Sequence, residues 1–258
     1  VDGADSIRNH TGETTLWAEG ASFRAMRMSG AALINGGRFE RTAVMVDVSP
    51  EDFYVLDVFL VSSGHNHTKF LHSHFGEVTL SGLDLQPAED YGHETQMRNF
   101  RIDPAAQPGW SADWDVEDRL ELLPEPRDIH FRHTDLTEGA AAGLAEGWIA
   151  TRGFKSTEET WIPRLVIRRQ NAADGPALVS TFVGVLEPYE GSRFIKAIRR
   201  YPVATLDGQP LGDNHVAVDI EFVDGRRDIL ILRDRLDNPT ARVAAKVNTE
   251  TRTDGEIP

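Results

Sequence analysis

The sequence predicts an all-β chain, a large antiparallel two-sheet β-sandwich. Three observations predict it. Short runs rich in β-branched and aromatic residues alternate or run apolar along most of the chain. Turn-forming groups, Asn35-Gly36-Gly37, Asp174-Gly175, Asp207-Gly208 and Asp224-Gly225, fall between runs that could pair as hairpins. Helix-favouring composition is confined to Glu138–Glu146, where two glycines oppose it.

In chain order, the expected strands begin with Ser22–Met28, Arg38–Asp47, Phe53–Ser62, Lys69–Phe75 and Glu77–Ser81. Met97–Ile102, Trp110–Val116, Arg127–Asp135, Gly147–Arg152 and Ile162–Gln170 follow. Ala177–Glu187, Phe194–Leu206, Asn214–Phe222 and Arg227–Leu232 complete the set. So many strands curl or split into packed layers, each strand burying one face, and a pair of barrels would satisfy the same pattern. Asp84–Met97, rich in Pro, Glu and Asp, reads as a long exposed loop. Residues 1–237 are expected to form one sandwich domain, and Asn238–Pro258 a frayed polar tail. No internal repeat is present.

Composition narrows the partners. The chain has 258 residues, 40% of them hydrophobic, which supports a substantial core. A net charge of −14 opposes nucleic acid and anionic membrane surfaces as non-specific partners, so an anionic ligand needs a local basic patch. There is no cysteine, which excludes disulfides and thiolate metal sites. No apolar run is long enough to span a membrane. The chain opens on Val1 in a polar, turn-like stretch, as expected of a processed chain or of a piece of something longer.

Histidine concentrates in one place. His65, His67, His72 and His74 lie within the stretch GHNHTKFLHSHFGEV, directly after the apolar run Phe53–Ser62. Imidazole changes charge near neutral pH, so such a cluster is a natural place for chemistry or ligand contact. Residues two apart on a strand share a face, which would let His65 with His67, or His72 with His74, form half of a metal site, with Glu77, Asp57 and His93 in sequence reach. Hydrogen-bonded surface or loop histidines fit the same pattern. Arg38, Arg41 and Lys69 flank or enter the cluster and could hold a carboxylate or sulfate beside imidazole. Each arginine could equally serve a surface ion pair.

The run YVLDVFLVSSGHNHTKFLHS, residues 54–73, resembles a segment of the heparinase II/III-like polysaccharide lyases. There a Tyr-Val-Val-Asp-Val-Phe-Arg-Val strand leads to Gly-Gly and then to His-Asp-Tyr-x-x-His. Tyr54, Asp57, Phe59, Val61, Gly64, His67 and His72 match that pattern. RFERTAVMV (38–46), LVSTFVGVLEPYEG (178–191) and the opening VDG are similar to further stretches of the family, in the same order. Thr68, Lys69 and Leu60 depart from it, which leaves the subfamily and the sugar open.

The resemblance implies a supersandwich-like β domain preceded in the whole protein by an N-terminal α/α toroid, with uronate polymers cleaved by β-elimination between the two. It implies that the principal catalytic residues and a zinc site lie upstream of Val1, so that this chain alone holds no catalytic set and no cofactor. His67 and His72, with Arg41 and Lys69, are then expected at the substrate or beneath the cleft. The implied partners are the toroid and an anionic polysaccharide, alginate or a glycosaminoglycan. The implied home is secreted or periplasmic. Two other readings fit the residues: a non-catalytic carbohydrate-binding module, and a cupin-like enzyme with a metal at His72, His74 and Glu77.

Overall fold

The computed structural model of the chain describes residues 1–4, 11–34, 36–89, 96–150, 160–234 and 243–245. Their regular structure is β throughout, apart from one 3-10 turn at Ala31–Leu33. Two compact units form. The first holds described residues of Val1–Asp5, Gly64–Leu178 and Pro188–Gly191, and the second those of Ser6–Ser63, Val179–Glu187 and Ser192–Pro258.

In the first unit, β5 (Asn66–Leu71), β6 (Gly76–Ser81), β7 (Gln86–Pro87) and β8 (Met97–Asp103) are followed by β9 (Ser111–Val116), β10 (Ile129–Asp135), β11 (Ala141–Ile149) and β12 (Thr160–Gln170). One sheet runs β5-β12-β11-β8-β7, and β6, β9 and β10 lie side by side in another. Strand periodicity puts Ala112 and Trp114 on one face of β9, both wholly buried, and Asp113 and Asp115 on the other. Leu165 and Ile167 of β12 are equally buried. These interior faces are what hold the unit together, since apolar burial is the main favourable term in folding.

In the second unit, β1 (Glu13–Glu19), β2 (Phe23–Ser29), β3 (Phe39–Asp47) and β4 (Phe53–Ser62) run in order and β13 (Val179–Glu190) adds beside β4. β14 (Ile195–Tyr201), β16 (Val216–Phe222) and β17 (Arg227–Leu232) form a second sheet, and β15 (Val203–Thr205) pairs with β18 (Val243–Ala245). Leu56, Val183, Val216, Val218 and Ile220 make its core. The Asp224-Gly225 turn closes the β16–β17 hairpin: Gly225 takes φ +88°, which suits glycine, and its N–H donates to Phe222 O.

The all-β expectation is met, and among the described residues the antiparallel sheets stay open, with none closed into a barrel. That goes against the paired-barrel arrangement. Glu138–Glu146 is not helical: most of it belongs to β11, which hydrogen-bonds β12 on one side and β8 on the other. Tertiary pairing overrides helix propensity here. Asp174-Gly175 closes no hairpin, because β12 pairs with β11 and β5 whereas β13 pairs with β4. The expected strand Phe194–Leu206 breaks at Pro202, which has no N–H to give a ladder. Most of the expected tail falls outside the described residues, but its Val243–Ala245 is β18.

Candidate functional site

The histidine segment is anchored to the start of the chain. Asp2 Oδ1 accepts the backbone N–H groups of His65 and Asn66, both at 2.8 Å, and Asp2 N–H donates to Asn66 O at 2.7 Å. The bond from His65 leads in holding the Asp2 carboxyl below its usual range, against a smaller upward push from desolvation. Gly64 makes this approach possible. Its φ is +68°, and a Cβ there would stand 2.2 Å from Asp2 Oδ2. His65 Nδ1 meets Asn171 Oδ1 at 3.0 Å, and Asn171 N–H donates to His65 O. The segment is therefore an ordered strand entrance.

β5 begins at Asn66, three residues before the expected strand, and occupies an end of its sheet with β12 as its neighbour. His67 and Lys69, two apart, share one face and are 1% and 5% exposed. Arg169 stands opposite His67 in the β12 register. Both side chains have interaction partners, and neither lies open to solvent in this chain. His72 is exposed just past the end of β5, with Nδ1 2.9 Å from Ser73 O. His74 is exposed as well, its ring meeting Phe75 edge-on at 4.6 Å.

Arg41 lies in the second unit. Its guanidinium grips the buried Asp57 carboxylate through Nε at 2.7 Å and Nη2 at 3.0 Å. That bond raises the arginine's pKa and outweighs the effect of burial. Arg41 is thus engaged in the ion pair its sequence context also allowed. Arg38 pairs with Asp234 and Glu40. Tyr54 is fully buried and donates to Asp228 Oδ2 at 2.9 Å; desolvation first, then the neighbouring carboxylate, raise its pKa far above the ordinary phenol value. Three residues matched to the lyase strand, Tyr54, Asp57 and Phe59, are accordingly structural here: Phe59 packs edge-on against Phe39 at 4.9 Å.

A second polar cluster, invisible as a motif, lies on the outer face of β9 and β10. Asp115, Asp128 and His130 bring one ligand atom each within 4.8 Å of the others. Asp115 and His130 are register partners. His130 Nε2 is 3.2 Å from Asp128 Oδ1, its Nδ1 is 4.0 Å from Asp113 Oδ1, and Tyr189 stacks on its ring at 4.8 Å while donating to Asp113 Oδ2 at 2.8 Å. The sequence signal was there in Asp113-x-Asp115 and Asp128-x-His130, both with strand period, but nothing in the chain order pairs the two. Nearby, a hollow of about 460 Å³ between the end of β9 and the start of β10 is lined by Val116, Leu123 and Ile129 with Asp118, Glu121 and Glu125.

Among the described residues, the one trio of metal-type side chains with converging ligand atoms is Asp115, Asp128 and His130; His72, His74 and Glu77 do not gather in this way. His93 lies outside the described residues. Among the described residues, no helix is long and apolar enough to cross a membrane.

No protein-family profile matches this sequence, and no curated protein matches it. Among solved structures the chain is similar to the crystal structure of heparinase III, with 11% sequence identity and a TM-score of 0.49. The match covers 90% of this chain but 29% of that one, so the chain spans less than a third of heparinase III.

Proposed function

We propose that this chain is the β-sandwich part of a polysaccharide lyase that cleaves uronate-containing polysaccharide by β-elimination, and that it supports the substrate cleft. The observation that carries this reading is the Asp2 anchor. Two stretches singled out by their resemblance to such lyases, VDG at 1–3 and GHNH at 64–67, are far apart in sequence and joined by three hydrogen bonds.

β-Elimination needs the uronate carboxylate neutralised so that the neighbouring carbon acid ionises, a base to take that proton, and an acid to protonate the leaving oxygen. On this reading the acid and the base come mostly from the part of the protein before this chain. His72, exposed at the end of β5, is the residue assigned to the substrate. His67 and Lys69 act from beneath, as buried cationic or hydrogen-bonding groups that order the strand carrying it. Arg41 contributes to stability through Asp57.

The test is a panel of alginate, heparan sulfate, chondroitin and hyaluronan, followed by ultraviolet absorbance of the unsaturated uronate product. The chain is assayed alone and within its full-length protein. Turnover by the full-length protein, lowered by His72→Ala, is the expected result. No turnover on any polymer would sink the lyase reading, and retention on a polymer without turnover would replace it with a carbohydrate-binding module.

A further inference from the structure

The two faces of the β5-β12-β11 sheet carry different polar groups: Lys69, Arg169 and Glu146 share one face, and Arg164 and Arg168 the other. Register puts Ala141, Gly143, Ala145 and Gly147 of β11 on one face with Arg164, Val166 and Arg168 of β12 and with Thr68 and Phe70 of β5. None of these residues is a carboxylate, although the chain carries 41 acidic residues against 27 lysines and arginines. Glu146 falls on the opposite face, paired with Arg98 at 2.7 Å.

Arg164 is built into this face. Its guanidinium lies across Gly147, where a Cβ would stand 2.6 Å from Nε and 2.7 Å from Cζ. Nε is buried without a hydrogen-bond partner. Burial lowers the arginine's pKa and no carboxylate among the described residues offsets it, in contrast to Arg38 and Arg41. A half-buried guanidinium is a fork of donors, costly to leave without an acceptor. Leu165 is opposite Leu71, so the same register continued one residue past β5 brings His72 to the row of Arg164. Phe70, 43% exposed, shares that face two residues before His72 and offers an apolar surface to a sugar ring.

We infer that Arg164, beside His72 and Phe70, anchors an oxyanion site that takes a carboxylate or sulfate group borne by a saccharide. The guanidinium supplies paired N–H donors to the two oxygens, and Gly147 keeps the fork flat against the sheet. This deepens the reading above, because it shares His72. Its test is binding, so it stands or falls apart from turnover.

Calorimetric titration of the chain with a uronate tetrasaccharide, a neutral glucan tetrasaccharide and inorganic sulfate addresses it. Binding of the uronate, competition by sulfate and no binding of the neutral sugar are expected. Arg164→Gln should weaken uronate binding at least about tenfold, the scale of one charge-assisted hydrogen bond. Arg164→Lys, which keeps the charge and loses the fork, should fall between. The circular dichroism of each variant reports its fold. Equal affinity for the neutral sugar, or wild-type affinity in a folded Arg164→Gln chain, overturns the site. Binding without turnover by the full-length protein overturns the lyase and leaves the site standing.

Discussion

Asp57 is 2% exposed and depends on Arg41 for its counter-charge, so Arg41→Gln should leave a buried carboxylate short of donors. A loss of roughly 1–3 kcal/mol in urea unfolding is expected, without the specific loss of saccharide binding that a substrate contact would show. Tyr54→Phe likewise strips Asp228 of a donor and should cost about 1–2 kcal/mol by the same measurement. Asp2 yields a prediction in pH. Its folded pKa is depressed below 3.8, so its hydrogen bonds to His65 and Asn66 persist above that value and are lost as pH falls through the lower, folded-state pKa. The backbone amide signals of His65 and Asn66 should therefore move together in an NMR titration, with a midpoint below 3.8. What was legible at this scale was residue type. The histidine segment could be picked out from spacing, but the burial of His67 and Lys69 could not, because the expected strand began only at Lys69 and the residues just before it are polar. Arg164 gave no signal at all: an arginine amid apolar strand residues looks the same whether its partner is a carboxylate or a glycine backbone.

Strands with a strong apolar pattern were read almost to the residue. β4 and β17 coincide with their expected bounds, because alternation and turn glycines agreed there. β1 was missed because ETTLWAE is largely exposed and carries little apolar pattern, so its strand state is set by pairing with β2. β11 reverses its local preference for a related reason. Its Gly143, which argued against a helix, is required by the sheet: a Cβ there would sit 2.6 Å from Arg101 O and 2.9 Å from Phe100 Cε2. Gly143→Ala should push Phe100 off the cluster it forms with Met97, Ala145 and Val166, at a cost of roughly 1–3 kcal/mol seen as a lower melting temperature. An unchanged melting temperature would show that Phe100 can shift freely.

For the whole molecule, a net charge of −14 sets the terms on which any polyanion can approach. Long-range forces oppose the encounter, and only local cations such as Arg164 favour it, so salt acts on both. Affinity for a uronate oligosaccharide should still fall as salt rises, because the short-range guanidinium–oxyanion contact is the favourable part; affinity that rose steadily with salt would mean that general repulsion dominates and that Arg164 contributes little. Composition made this charge legible, while its distribution between faces required the register. The joint between the opening residues and the histidine segment also leaves a trace across evolutionary time. Positions 2 and 64 share one space, with φ +68° and Asp2 Oδ2 both barring a side chain at Gly64. Relatives of this chain should therefore exchange the two residues as a pair. A lineage that loses the acid at position 2 becomes free to accept asparagine at 64, and one that keeps it retains the glycine.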